Sequence, residues 1–111
     1  VDRRTADDVL ERDGVGDDDL AIGAWNERGN LDPIIERYAS GWTLDRMANA
    51  DRNLLRLALY EILHRDDIPP SVSVNEVVEL SKKYSTAESA RFINGILGAY
   101  LRDRQNENEA A

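Results

Sequence analysis

Hydrophobic residues along the chain recur three to four positions apart, and no stretch alternates for long between apolar and polar residues. Residues at that spacing share one face of an α-helix, whereas alternation would indicate a strand. The pattern therefore predicts an all-α protein folded as a compact helical bundle. The strongest helix lies in the sequence ADRNLLRLALYEILHR. It is apolar nearly all round, which is typical of a helix at the centre of a bundle.

Other helices are predicted on both sides of this central one. Asp32 can cap a helix that has Pro33 at its first position and ends at Gly41. A short helix follows Thr43, and Trp42 is expected to anchor the corner before it. An earlier helix carries Leu20, Ile22, Ala24 and Trp25.

Capping signals mark the later helices. The sequences Ser-Val-Asn-Glu at 73–76 and Ser-Thr-Ala-Glu at 85–88 have the spacing of a capping box, in which the two side chains satisfy opposite backbone N–H groups. Asp51 can cap the central helix in a similar way. In the last helix, Gly95 and Gly98 are expected to allow close backbone approach.

Composition narrows the classes of function. The chain has 111 residues, no cysteine and one histidine, so neither a thiolate metal site nor an ordinary zinc cluster is expected. No apolar run approaches the roughly 18 residues that a membrane span needs. The net charge of −8 is uneven, because residues 1–19 contain eight acids and three arginines, whereas 52–104 contain eight Lys/Arg and seven acids. RNA binding by the later region therefore stays open.

This charge pattern also divides the chain. Residues 1–19 are interpreted as an acidic link with a weak helix near 4–12, 20–103 as the helical domain, and 104–111 as a polar tail. Glu76 and Glu79 could act as an acid–base pair, but no nucleophile, Gly-rich phosphate loop or histidine grouping accompanies them, and catalysis is not expected.

A better candidate site is the sequence ARFING. Arg91, Phe92 and Asn94 there supply a cation, an aromatic ring and an amide, which can hold a phosphate, stack on an unpaired base and read its edge. The alternative interpretation is that Phe92 is a core residue and Arg91 a solvated one.

Several motifs in the right order resemble the NusB family of bacterial transcription antitermination factors. They are LLRLALYEI, IPPSVSVNEVVELSKKY and RFINGIL, with GNLDPIIERYASGWTLDRM upstream. The likeness extends over roughly residues 20–101. It implies a NusB-type helical fold and no enzymatic activity. No cofactor is expected, and the lack of a membrane-span or signal-peptide pattern predicts a cytoplasmic location.

The resemblance also implies partners and sites. Family members bind boxA-type single-stranded RNA with NusE, a small-subunit ribosomal protein, in the RNA polymerase antitermination complex on ribosomal RNA genes. The positions that match as RNA-binding are Arg56, Ser89, Arg91, Phe92, Asn94 and Gly95. Glu88 occupies the position expected to face NusE.

One departure concerns the start of the chain. Family members open with an Arg-rich segment and a long amphipathic helix, whereas residues 1–15 resemble the segment after that helix in actinobacterial members. Either the chain is a fragment or this member has lost that helix. In both cases we expect weak RNA binding by these 111 residues alone, and an apolar groove that invites a homodimer.

Two alternatives stay open. One is the NusB-like domain of a ribosomal RNA cytosine methyltransferase, although the polar tail favours a stand-alone factor. The other is a helical protein-interaction module.

Overall fold

The computed structural model describes residues 18–110, with side chains for 19–107. It contains α1 (Asp18–Asn26), α2 (Arg28–Tyr38), a 3-10 turn (Leu44–Arg46), α3 (Asn49–His64), α4 (Pro70–Tyr84) and α5 (Ala87–Ala110). No strand occurs within this range, which confirms the all-α prediction. The weak helix predicted near residues 4–12 lies outside the described part of the chain.

The central position of α3 is also confirmed. This helix contacts each of the other four helices, and its Leu55, Ala58 and Leu59 are completely buried. A helix that is apolar on most faces can bury them only when neighbours surround it. Helices α4 and α5 form an antiparallel pair against it, so that the start of α5 lies beside the start of α3.

The predicted start of α2 is wrong. Helix α2 begins at Arg28, with only Glu27 between it and α1. Pro33 therefore lies inside the helix and not at its first position. The Glu27 carbonyl accepts hydrogen bonds from the backbone N–H groups of Asn30 (2.9 Å) and Leu31 (3.1 Å), which builds a first turn ahead of the proline. The proline forgoes one helical hydrogen bond. Complete burial of Leu31 favours the longer helix nonetheless.

The capping box predicted at the start of α4 is wrong as well. Pro70 occupies the first helical position after an extended Pro69, so the helix begins three residues before Ser73. Ser73 is buried, and its hydroxyl donates a hydrogen bond of 2.5 Å to Glu61 on α3. Glu76 is half-buried, and the pKa of its carboxyl is raised, first by desolvation and then by the charge of Glu61. Both side chains therefore serve the contact between α3 and α4.

The cap of α5 lies one residue later than predicted. The backbone N–H of Ser89 donates to Thr86 Oγ1 at 3.0 Å, so Thr86 caps the helix. The hydroxyl of Ser85 donates instead to Ser89 Oγ at 3.1 Å, and Glu88 is exposed. Glu88 is thereby available to a partner.

Close backbone approach occurs at a different glycine from those predicted. A Cβ at Gly23 would collide with the ring of Tyr60, so the glycine lets α1 pack closely on α3. The space around Gly95 is open, and the nearest group at Gly98 is the Arg102 guanidinium at 3.4 Å. The close packing expected at Gly95 and Gly98 is therefore wrong.

Candidate nucleic-acid interface

The side chains predicted to bind RNA on α5 share one end of the bundle. Arg91, Asn94 and Gly95 are exposed, whereas Ser89 and Phe92 are half-buried. Residues three and four apart lie on one side of a helix, so the three exposed residues form a continuous face. The open space at Gly95 leaves that face flat enough for another molecule to approach the backbone.

Phe92 lies at the edge of this face and contacts an aromatic residue from the α2–α3 connection. The rings of Trp42 and Phe92 meet edge to face, with centroids 6.1 Å apart and planes at 69°. Trp42 does not anchor the corner as a buried residue would, because 51% of it is exposed. Phe92 is thus neither a fully buried core residue nor an isolated surface ring.

A groove of about 370 Å³ runs along the first two turns of α5. It is lined by Trp42, Arg46, Met47, Ala48, Asp51, Thr86, Glu88, Ser89 and Phe92. Thr86 and Phe92 are six residues apart, or about 9 Å along a helix. The groove consequently has an acidic end near Glu88 and an aromatic end at Phe92.

Asp51 lies in this groove and was not among the predicted site residues. It is inside the first turn of α3 and does not cap it, because the helix begins at Asn49. Its Oδ2 accepts a hydrogen bond of 3.0 Å from the Ser89 hydroxyl, which in turn accepts one from Ser85. Its Oδ1 is buried and has no hydrogen-bond partner among the described residues.

The environment of Asp51 favours the neutral form of its carboxyl. Asp51 is only 6% exposed, and burial raises the pKa of its carboxyl, while the hydrogen bond from Ser89 acts in the opposite direction. A buried acceptor without a hydrogen-bond partner costs free energy. No local pattern links Asp51 to Ser89, 38 residues later, so the sequence carried no signal for this contact.

Arg56 lies elsewhere. Its Nε and Nη2 donate to the two carboxylate oxygens of Asp32 on α2 at 2.8 and 2.9 Å, and its guanidinium lies 5.6 Å from the ring centre of Trp25 on α1. Only 10% of the side chain is exposed. The structure thus gives Arg56 the role of joining α1, α2 and α3. Arg56 does not line the groove along α5, although the sequence groups it with the RNA-binding residues.

A second groove, of about 680 Å³, runs along the surface of α4. There the Lys82 ammonium and the Glu79 carboxylate form an exposed ion pair at 3.0 Å. Among the side chains described, those of residues 19–107, there is no group of three or more His, Asp or Glu suited to a metal ion. None of the helices within residues 18–110 combines the length and hydropathy needed to cross a bilayer.

The described residues form a small helical bundle with an exposed face and a groove at the start of its last helix. The model of the NusB family matches residues 4–102, and the chain belongs to that family. It is 54% identical over 83 residues to the transcription antitermination protein NusB of Symbiobacterium thermophilum, covering 75% of this chain and 54% of that protein. The NusB of Desulfitobacterium hafniense is 47% identical over 92 residues, which is 83% of this chain and 62% of the relative.

Solved structures agree with this assignment. T. maritima NusB superimposes with a TM-score of 0.69 at 40% identity, over 74% of this chain and 58% of that one. A structure of antitermination factors NusB and NusE in complex with dsRNA gives a TM-score of 0.68 at 27% identity, over 86% of this chain and 76% of that one. The chain spans about half the length of the first two curated relatives it matches.

Proposed function

We propose that this chain acts as a transcription antitermination factor that binds boxA-type single-stranded RNA together with NusE. Its setting is the RNA polymerase complex that transcribes ribosomal RNA genes in the cytoplasm. The observation that carries the proposal is the exposed face of α5, where a cation, an aromatic ring and an amide adjoin. The names of the relatives support it, and the solved NusB–NusE complex with dsRNA supports RNA and NusE as its ligands.

The RNA would lie along this face. Arg91 pairs with a phosphate, Phe92 offers part of its ring for stacking, and Asn94 reads a base edge. Gly95 lets the sugar–phosphate backbone of the RNA approach the helix, since glycine has no side chain in the way. Ser89 acts indirectly, because its hydroxyl is engaged with Asp51.

The protein partner would occupy the acidic end of the groove. Glu88 is exposed there, whereas Asp51, which lines the same groove, is buried together with its Oδ1. An exposed carboxylate such as that of Glu88 favours a lysine or arginine side chain over an RNA phosphate. If NusE and the RNA contact each other on this helix segment, each strengthens the binding of the other, and such coupling is necessarily mutual.

The proposed role is assembly without catalysis or a cofactor. Of the two acids on α4, Glu76 is half-buried near Glu61 of α3, and Glu79 is exposed and paired with Lys82. The acidic groove also favours a second candidate, a protein-interaction module that does not bind RNA. No feature of residues 18–110 favours the methyltransferase-domain alternative.

The test is an RNA titration at two salt concentrations, with and without NusE. The probes are a boxA-like single strand, a scrambled strand and a duplex of the boxA sequence. Arg91→Ala should weaken boxA binding several-fold. It should also make the plot of log affinity against log salt concentration less steep, by the amount expected for about one phosphate contact. Arg65→Ala, at the opposite end of α3, is the matched control and should change neither. If NusE binds but no RNA does at either salt concentration, the interaction-module candidate is correct instead.

A further inference from the structure

Trp42 is a large aromatic side chain held at the surface by its backbone. The two residues before it, Ser40 and Gly41, have φ values of 52° and 91°. Left-handed backbone is unfavourable for a serine and is found mainly where the surrounding structure requires it. The Trp42 N–H donates to the Ala39 carbonyl at 3.2 Å, which closes the turn and directs the chain away from α2.

The exposure of Trp42 is not that of an isolated surface residue. Its ring meets Phe92 at 69° and forms the aromatic end of the groove along α5. The two rings already contact each other edge to face, and this contact holds the Trp42 ring in place. Because 51% of Trp42 stays exposed, a flat molecule can stack on its free surface. Arg46 lines the same groove, and Arg91 is exposed next to Phe92 in sequence, so cations are available near the rings.

We propose that Trp42 is a second base-stacking residue of this protein and forms, with Phe92, a site for one unpaired RNA base. Arg46 contacts the phosphate beside that base. The inference rests on the proposed RNA-binding function and deepens it, because it adds a position outside α5 to the interface. The α2–α3 connection thereby becomes part of RNA recognition.

A nucleobase fits this end of the groove better than the other available occupants. A phosphate has no favourable contact with an exposed aromatic surface, whereas every base has a face that stacks on one. A cationic side chain of a protein would find one exposed carboxylate here, that of Glu88, because Asp51 is only 6% exposed. Gly95, which lies four residues after Arg91 and three after Phe92, joins the exposed face of α5 to the Phe92 ring.

The experiment compares Trp42→Ala and Trp42→Phe with the unchanged chain, using boxA-like RNA at low salt in the presence of NusE. Trp42→Ala should weaken RNA binding about 5- to 150-fold, the range expected from stacking worth about 1–3 kcal/mol. Trp42→Phe should keep most of the affinity. RNA should quench the tryptophan fluorescence of the unchanged chain but not that of Trp42→Phe, which retains only Trp25.

A second series uses RNA strands that each carry one abasic position. One such strand should bind the unchanged chain more weakly yet bind Trp42→Ala with no further loss. The inference is overturned if Trp42→Ala binds RNA normally, or if it loses NusE binding while RNA affinity holds. If the unchanged chain binds NusE but no RNA, the proposed function itself fails. Circular dichroism of each variant shows whether the bundle is intact.

Discussion

Replacing Arg56 with methionine removes its charge and its hydrogen bonds while keeping most of the apolar length of the side chain. In the folded chain Arg56 donates to both oxygens of Asp32, and the two side chains are 10% and 23% exposed. Losing one partner of a fully buried pair costs about 3–5 kcal/mol, whereas an exposed pair contributes about 0–1 kcal/mol. The partial exposure of Asp32 to water places the expected loss at about 2–3 kcal/mol.

Urea unfolding followed by far-UV circular dichroism measures this loss, and the melting temperature should fall by about 10–20 °C. A double-mutant cycle with Asp32→Asn isolates the pair itself. Arg65→Met is the matched control, because the Arg65–Asp67 pair is exposed at the far end of α3, and it should cost less than about 1 kcal/mol. The reasoning is refuted if Arg56→Met unfolds at the same urea concentration as the unchanged chain but binds RNA more weakly. That result would return Arg56 to the RNA-binding residues.

Two further predictions concern the groove and the cap beside it. Because burial raises the pKa of Asp51, the folded chain holds that proton more tightly than the unfolded chain. The contribution of Asp51 to stability is therefore present at low pH and is lost as the pH rises through its folded pKa. Asp51→Asn should flatten this dependence, which urea unfolding of both chains between about pH 3 and pH 7 would show, and an unchanged slope would contradict it. Thr86→Ala should cost about 1 kcal/mol through loss of the helix cap, whereas Thr86→Ser keeps the acceptor and should cost a few tenths. Equal losses in thermal melts of the two Thr86 variants would argue against the cap.

The features that the sequence determined are those that depend on neighbouring residues. Helical spacing of apolar residues defines the all-α class, because a helix needs one buried face whatever covers it. The nearly all-apolar stretch at 50–65 determined that α3 would be central. The apolar pair Leu44 and Met47 indicated the short helical turn before it, and both side chains are buried there. The motifs that resemble NusB are contiguous stretches on these elements, so the sequence by itself indicates the family.

Features that depend on distant partners were decided by the tertiary structure. Ser73 has the spacing of a helix cap, yet it hydrogen-bonds Glu61, since packing of α4 on α3 buries its hydroxyl. Arg56 belongs by motif to the RNA-binding set, but its fork-shaped guanidinium is satisfied by Asp32, 24 residues away. Trp42 contacts Phe92 only after the chain has passed through the 3-10 turn, α3 and α4.

The physical reason is the range of the interactions. Periodicity and backbone capping act within one or two turns, so they can be read along the chain. A buried polar group takes whichever donor or acceptor the folded neighbours bring within about 3 Å, and short-range sequence patterns do not encode that choice. For this protein the sequence determined the helices and the family. The folded bundle decided which polar and aromatic side chains stabilise it and which remain free to bind.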